Sequence, residues 1–410
     1  NSKIEMGVRA AIRDVQNENL NYIQNPITGE LVPIAAINAN FKYTEKIYAA
    51  YSTYSSKIGK NFTYMVGLRA ESSKYDGKLL TNDSSFSNSF PFSLFPSVFL
   101  TYKMKNDQDL QLSYSRRINR PNFFQLLPFV DFTDSLNISR GNPALVPEFT
   151  TSLELSYQKT FKNNHSILLS GWFKYTNDLI TRYQIKEPSS IPGRDVIINT
   201  YINANYMMAY GLEITARNPV TKWLDLTTNV NFFNSDINTD NISTVSVDGM
   251  ISYFAKLNAQ FKLPKNYSIQ LSADYQSKAI VPQGGGGRGG MGGGGRGGGG
   301  GGGFGGFTQT TAQGYVKPSG AVDLAVRKEF MKDKKASISL GINDIFKTRR
   351  YATFSESEFF IQEFERRQDW RVVRLNFNYR FGKFDATLFK RKNTRSGMEG
   401  GQDMQMQQKP

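Results

Sequence analysis

RVVRLNFNYRFG, residues 371–382, alternates between two kinds of side chain: Val373, Leu375, Phe377, Tyr379 and Phe381 in one set, Arg374, Asn376, Asn378 and Arg380 in the other. Successive side chains of a strand point to opposite faces, so the two sets meet different solvents. Taken alone, the stretch also suits a soluble sandwich whose apolar face turns inward to a core. The rest of the chain has to decide between a core and a lipid bilayer.

The alternation recurs throughout. Ile4, Met6, Val8, Ala10 and Ile12 oppose Glu5, Gly7, Arg9 and Arg13, and Tyr64, Val66, Leu68 and Ala70 oppose Arg69 and Glu71. The same holds for Leu110, Leu112 and Tyr114, for Leu153, Leu155 and Tyr157, and for Leu212 and Ile214 against their polar neighbours. It returns at Leu224–Val230, Tyr253–Phe261, Tyr267–Tyr275 and Ile338–Ile342. With less regular segments near 41–57, 94–103, 167–183 and 320–330, the chain reads as all-β with about 14 strands, each near or above the roughly 9–11 residues that cross a tilted bilayer. Soluble strands are shorter, about 5–6 residues.

The connections separate the two solvents. SKIGKN (56–61), KMKNDQD (103–109), FKNNH (161–165), RNPVTK (217–222), LPKN (263–266) and MKDKK (331–335) read as tight polar turns. Between them stand long connections at 14–36, 72–90, 117–147, 184–196, 235–249, 279–318 and 350–368. Short and long alternate, as periplasmic turns and extracellular loops do on the two rims of an antiparallel transmembrane β-barrel. A sandwich has no reason to keep that rhythm. Residues 1–384 are therefore expected to form barrel strands and loops, with Arg374, Asn376, Asn378 and Arg380 facing a wet lumen. Turning those arginines into hydrocarbon would cost roughly 2–4 kcal/mol each near the midplane.

Composition agrees. The 410 residues carry Lys+Arg 50 against Asp+Glu 35, a net charge of +15, with Tyr 21 and Phe 30. Mean hydropathy is −0.45, which suits strands that are apolar on only one face. No run approaches the roughly 18 apolar residues of a spanning helix. The absence of cysteine excludes disulfides and thiolate sites. The opening NSKIEMGVRAAIR reads as a strand and not as a secretion signal, so the N-terminus is expected to be processed or truncated. The positive charge implies anionic surroundings: outer membrane lipid and lipopolysaccharide for a barrel, nucleic acid for a soluble protein.

Two segments stand apart. The glycine-rich run 283–307 holds only Arg288 and Arg296. It reads either as an RGG-type nucleic-acid binder or as a flexible loop, and its place between two strands favours an extracellular loop over 284–306 with no nucleic acid as partner. Residues 113–149 form a long connection rich in phenylalanine, leucine and proline, expected to fold into the barrel mouth. Arg116, Arg117, Asn119, Arg120, Phe123, Asp131, Asp134 and Arg140 are its candidates for contact with a ligand or a plug, or for pairing among themselves. No catalytic or metal signature stands out: His165 is the single histidine, and SDINTDN (235–241) lacks the calcium-loop spacing. Neither an enzyme nor a cofactor or metal is expected.

SYSRRINRPNFFQLLPFVDFTDSLNISRGNPALVPEF (113–149) resembles the hallmark segment of the TonB-dependent-receptor-like outer membrane β-barrel family. EKIYAAYSTYSSKIG (45–59), GLRAE (67–71), LFPSVFLTY (94–102), KYTNDLI (174–180), YGLEITARNPVTKWLDLTTNVNFF (210–233) and SLGINDIFKTRR (339–350) are similar to further parts of it, in order. The resemblance implies a Gram-negative outer-membrane receptor with an N-terminal plug inside a barrel of about 22 strands, energised by the TonB complex for uptake of a bulky ligand. Neither a plug nor a TonB-contact segment is seen here, and about 14 strands are too few. The chain is thus expected to be the C-terminal barrel portion of a longer one. The alternatives are a smaller self-closed channel, or a non-transporting barrel that scaffolds or anchors partners such as lipoproteins. Phe377, Tyr379 and Phe381 resemble a terminal barrel-assembly signal, and the polar residues 385–410 that follow are expected to be a disordered periplasmic tail.

Overall fold

The computed structural model describes residues 2–33, 38–80, 85–126, 130–131, 138–188, 195–242, 248–280, 314–356, 361–367 and 371–381. The glycine-rich loop, the polar tail and Asp134 lie outside them.

Fourteen long strands make one antiparallel wall in chain order. They are β1 (Lys3–Asn19), β2 (Ala39–Ile58), β3 (Phe62–Leu79), β4 (Ser85–Met104), β5 (Gln108–Asn119), β6 (Glu148–Thr160) and β7 (Ser166–Pro188). They continue with β8 (Asp195–Pro219), β9 (Leu224–Asn238), β10 (Met250–Leu263), β11 (Tyr267–Gln276), β12 (Ser319–Phe330), β13 (Ala336–Ile342) and β14 (Val373–Tyr379). Among the described residues β1 and β14 each pair on one side only. Among the described residues one α-helical turn, Phe123–Leu126, accompanies the wall, and no helix is long and apolar enough to cross a membrane.

Every tight turn read from the sequence joins two neighbouring wall strands. Several reverse the chain through left-handed residues: Asn106 and Asp107, Asn163 and Asn164, Lys265 and Asn266 all have φ between 53° and 62°. Such pairs match the twist of a two-residue hairpin, and Asn and Asp tolerate that conformation better than most side chains. The opposite rim carries the long connections, which add a hairpin (Tyr22–Gln24 with Leu31–Pro33) and a three-stranded patch (Gly314–Val316, Tyr351–Glu356, Ile361–Arg366).

The register sorts the faces as the alternation requires. Leu375 lies opposite Leu340, and Phe377 opposite Ile338, while Leu340 lies opposite Val326. This outer face is apolar and exposed all along the wall: Val8 is 86% exposed, Leu212 64%, Ile251 78% and Leu375 68%. Arg374, Asn376 and Asn378 lie opposite Gly341, Ser339 and Ser337 on the inner face.

Two connections are far shorter than their sequences suggest. β3 and β4 run on through 72–90, leaving 80–84 between them, and β7 and β8 run on through 184–196, leaving 189–194. With 23 and 25 residues, β7 and β8 rise well past the roughly 9–11 residues a bilayer needs. Beyond the lipid neither face has to be apolar, so the strand persists where its alternation fades.

A charge placed on either face of β14 should separate the two environments. Leu375→Arg should cost about 2–4 kcal/mol and Asn376→Arg less than about 1 kcal/mol. Urea titration of the protein folded in liposomes measures both; equal costs would contradict the face assignment.

Candidate functional site at the inner face

β5 leads into residues 120–126, and these and residues 138–147, which return to β6, lie against the inner face. Their apolar side chains complete a core that no wall strand could build alone. Leu126 and Leu145 are fully buried and join Phe41 and Tyr43 of β2, Tyr75 of β3 and Ile180 of β7. The Phe123 ring centroid lies 5.6 Å from those of both Phe41 and Tyr43.

A buried loop must find partners for its backbone polar groups, and here wall asparagines supply many of them. Asn88 Nδ2 of β4 donates to the carbonyls of Pro143 and Leu145 at 3.0 and 3.3 Å. Asn203 of β8 works both ways: its Oδ1 accepts the Val146 N–H at 3.0 Å and its Nδ2 donates to the Val146 carbonyl at 2.9 Å. Asn199 Nδ2 donates to the Ile138 carbonyl at 3.1 Å. From the loop side, Asn142 Nδ2 donates to the Tyr201 carbonyl at 2.9 Å. The three residues Ile138–Arg140 also pair in parallel with Ile198 and Asn199.

The sequence candidates divide among several positions. Arg120 ion-pairs with the carboxylate of Glu71, which also accepts two hydrogen bonds from Arg69, at 3.0 and 2.6 Å. Glu71 is only 5% exposed. Arg13 stands 3.4 Å from Glu45 beside this group, and the field of Glu45 and Arg9 reaches Arg120. Burial lowers the pKa of Arg120 to about 10; Glu45 opposes the shift, while Arg69 and Arg9 add to it. The Arg120 Nε atom is buried without a hydrogen-bond partner among the described residues. Among the described residues, the guanidiniums of Arg13, Arg69 and Arg120 thus stand against the carboxylates of Glu45 and Glu71.

Arg140 forms a two-pronged pair with Glu187, at 3.2 and 2.5 Å. Asn119 Nδ2 donates at 2.6 Å to Glu148, whose other oxygen accepts the Ile180 N–H at 2.8 Å. Asp131 belongs to a two-residue strand beside Ser139 and Arg140. Arg117 lies on the inner face, opposite Thr150. Its neighbour Arg116 shares the outer face with Leu112 and Tyr114, its guanidinium 5.3 Å from the Phe149 ring centroid. Just past β14, Arg380 lies at the short-turn rim, donating to the Lys334 carbonyl at 2.9 Å.

Glu71, Glu148, Glu187, Asn88 and Asn203 escape a sequence reading because each sits within a strand, where a polar residue needs no explanation beyond a wet face. YINANYM (201–207) carries a faint signal: asparagine is a poor strand former, and two at alternate positions suggest bonds to something outside the ladder. Farther along, Arg349 reaches Asp274 and Asp323 at 3.0 and 3.4 Å, and Asp344 accepts the N–H groups of Thr348 and Arg349, both at 2.9 Å. Among the described residues there is no group of three or more side chains suited to a metal.

A wall of long antiparallel strands with an exposed apolar face and a polar, loop-filled inner face defines an outer-membrane β-barrel protein. The chain belongs to the Outer membrane protein beta-barrel family, whose model matches residues 1–292 and 302–379. No curated protein sequence matches it. Its fold is similar to that of the siderophore receptor PiuA from Acinetobacter baumannii, with 14% identity, a TM-score of 0.58, and 92% of this chain and 53% of that one covered. The ferric yersiniabactin uptake receptor FyuA from Yersinia pestis gives 13%, 0.56, 92% and 51%. For the unliganded ferric citrate transporter FecA the values are 13%, 0.57, 93% and 52%. The fold is therefore that of the barrels of these proteins, and the chain spans about half the length of these structures.

Two substitutions test the loop's seat. Glu71→Ala leaves Arg69 and Arg120 facing each other, and Asn203→Leu strands both backbone groups of Val146. Each should cost the loop about 2–3 kcal/mol, seen as more than tenfold faster amide exchange at Gln125–Leu126 for the first and at Val146 for the second. Unchanged exchange would show that the core around Leu126 and Leu145 holds the loop alone.

Proposed function

We propose that this wall is the C-terminal barrel portion of a TonB-dependent type receptor that takes up a bulky ligand. The observation that carries this reading is the folded loop on the inner face. It packs against β2 and is bonded to β3, β4, β7 and β8, so it narrows the lumen as a fixed part of the wall and holds guanidiniums on the inner face. Arg13, Arg69 and Arg120 suit an anionic group, presented either by a ligand or by a plug segment; Arg117, Asn119, Asp131, Asp134 and Arg140 are its candidate neighbours. The fold likeness to proteins named as transporters and receptors supports a transport role over an enzymatic one.

The two wall edges bear on size. Among the described residues β1 and β14 each leave one side of the ladder unpaired, and hydrocarbon does not tolerate unpaired backbone groups. In the membrane they pair with further strands, as a barrel of about 22 strands requires, or with each other in a smaller one. The exposed Phe377 and Tyr379 on β14, with Phe381 just past it, serve as the terminal signal for assembly, and Arg374, Asn376 and Asn378 line the lumen.

Two measurements on the native protein test the proposal. The C-terminal domain of TonB from the same cell, immobilised, should retain it, and the protein in a planar bilayer should conduct no steady ionic current. Failure to bind together with a steady open conductance would establish a passive channel instead. Failure to bind with no conductance and with stable co-purifying outer-membrane partners would establish a scaffold.

A further inference from the structure

Three interruptions of the ladder fall on one row of the wall. Pairing of β6 with β7 stops at Phe149 and Asn177, and pairing of β8 with β9 stops at Tyr206 and Asn238. Between them, β7 and β8 pair Asn177 with Tyr206 and Leu179 with Ala204 but skip Asp178 and Asn205. Asp178 has a left-handed φ of 53°. From Ser166 at the short-turn rim, about twelve residues at about 3.3 Å each, tilted by about 40°, rise about 30 Å, just above the roughly 25 Å apolar band of such barrels. Past this row the hairpin goes on without its neighbours, and 179–188 and 195–204 keep their own pairing. Among the described residues their further ladder contact is the parallel match of Ile198 and Asn199 with Ile138 and Ser139.

A free-standing hairpin in water would expose both faces, yet this one is covered on both. Leu179, Ile180 and Thr181 follow one another at 5%, 6% and 0% exposed, where a wall strand with one wet side would alternate. On one face Leu179 and Ala204 pack with Ile237 and Ile280. There the Tyr183 hydroxyl donates to the Ile242 carbonyl at 3.2 Å, and Asn241 Nδ2 to the Asn203 carbonyl at 2.9 Å. On the other face Ile180 joins the core of Leu126 and Leu145, whose far side is Phe41 and Tyr43 of β2 and Tyr75 of β3. Gln184 Nε2 on that face donates at 2.7 Å to Gln362 of the three-stranded patch. The hairpin therefore lies over the mouth, between the inner loop on one side and the connections after β9 and β11 on the other.

We propose that this hairpin is a flap hinged at Asp178 and Asn205, and that its outward swing opens the lumen to the cell exterior. The hinge row already lacks a bridge within the β7–β8 ladder, so bending there breaks none. Apart from the match at Ile198 and Asn199, the polar contacts that hold the flap shut use side chains: Asn203 with Val146, Asn142 with the Tyr201 carbonyl, Arg140 with Glu187, and Glu148 with the Ile180 N–H. The inner loop keeps its own seat when these part, through Arg120 on Glu71 and Asn88 on the carbonyls of Pro143 and Leu145. The flap then opens as one cooperative unit without unfolding the wall. The gate rests on the reading of the wall as part of a transport barrel, which TonB retention and conductance test separately; the hinge rests on the ladder alone.

The test is amide exchange on the native protein in liposomes. Residues 179–186 and 197–204 should exchange through one common opening, at least about tenfold faster than 167–177 and 206–216. Asp178→Val puts a β-branched residue at a left-handed position and should speed that opening at least about fivefold, while Asp178→Asn should leave it within about twofold. An I138C/I198C disulfide, unambiguous in a chain without cysteine, should slow the flap at least about tenfold and leave 167–177 unchanged. On intact cells, a maleimide carried on polyethylene glycol should label D178V/S115C, on the inner face of β5, at least about fivefold faster than S115C. Should D178V fail to fold, D178T serves in its place. Equal exchange above and below the hinge row, or fraying residue by residue from the tip, would overturn the hinge. Equal labelling of the two Ser115 variants would overturn the gate.

Discussion

An unpaired backbone N–H or C=O cannot rest in hydrocarbon, where each costs several kcal/mol. That constraint accounts for the continuous ladder from β1 to β14. Because the ladder is antiparallel, each strand needs only a tight turn at one rim, and left-handed pairs such as Asn163–Asn164 supply it. Because pleating alternates the side chains, one register decision fixes what every residue meets. A slip of one residue at β13–β14 would send Arg374 into lipid and Leu375 into water. The apolar face of the bilayer and the ladder together therefore specify the inner face, although nothing in the inner face is needed to make a strand.

The inner loop meets the same constraint in a different medium. Leu126 and Leu145 draw the loop segments around them into a dry core against Phe41, Tyr75 and Ile180, and burial there would orphan the loop's own amides. Wall asparagines answer this as a strand edge would: Asn203 offers an acceptor and a donor to the two backbone groups of Val146. The Arg69–Glu71–Arg120 group is of another kind. A buried carboxylate between two arginines is costly to desolvate and adds little net stability. What it contributes is position, since Arg120 can meet Glu71 only where the chain leaves β5.

Much of the wall could be read from residues 371–382 outward, because wherever lipid touches the sheet it imposes alternation, and because Asn, Asp and Gly mark the turns. The reading failed above the bilayer. In 72–90 and 184–196 the strands continue without an apolar face, so period two no longer shows in the sequence. The candidate residues fared unevenly for a related reason. Arg116 and Arg117 are adjacent in a loop-like stretch, yet β5 extends to Asn119 and puts them on opposite faces. Side-chain partners such as Glu187 for Arg140 lie 47 residues away, a distance over which composition carries no information.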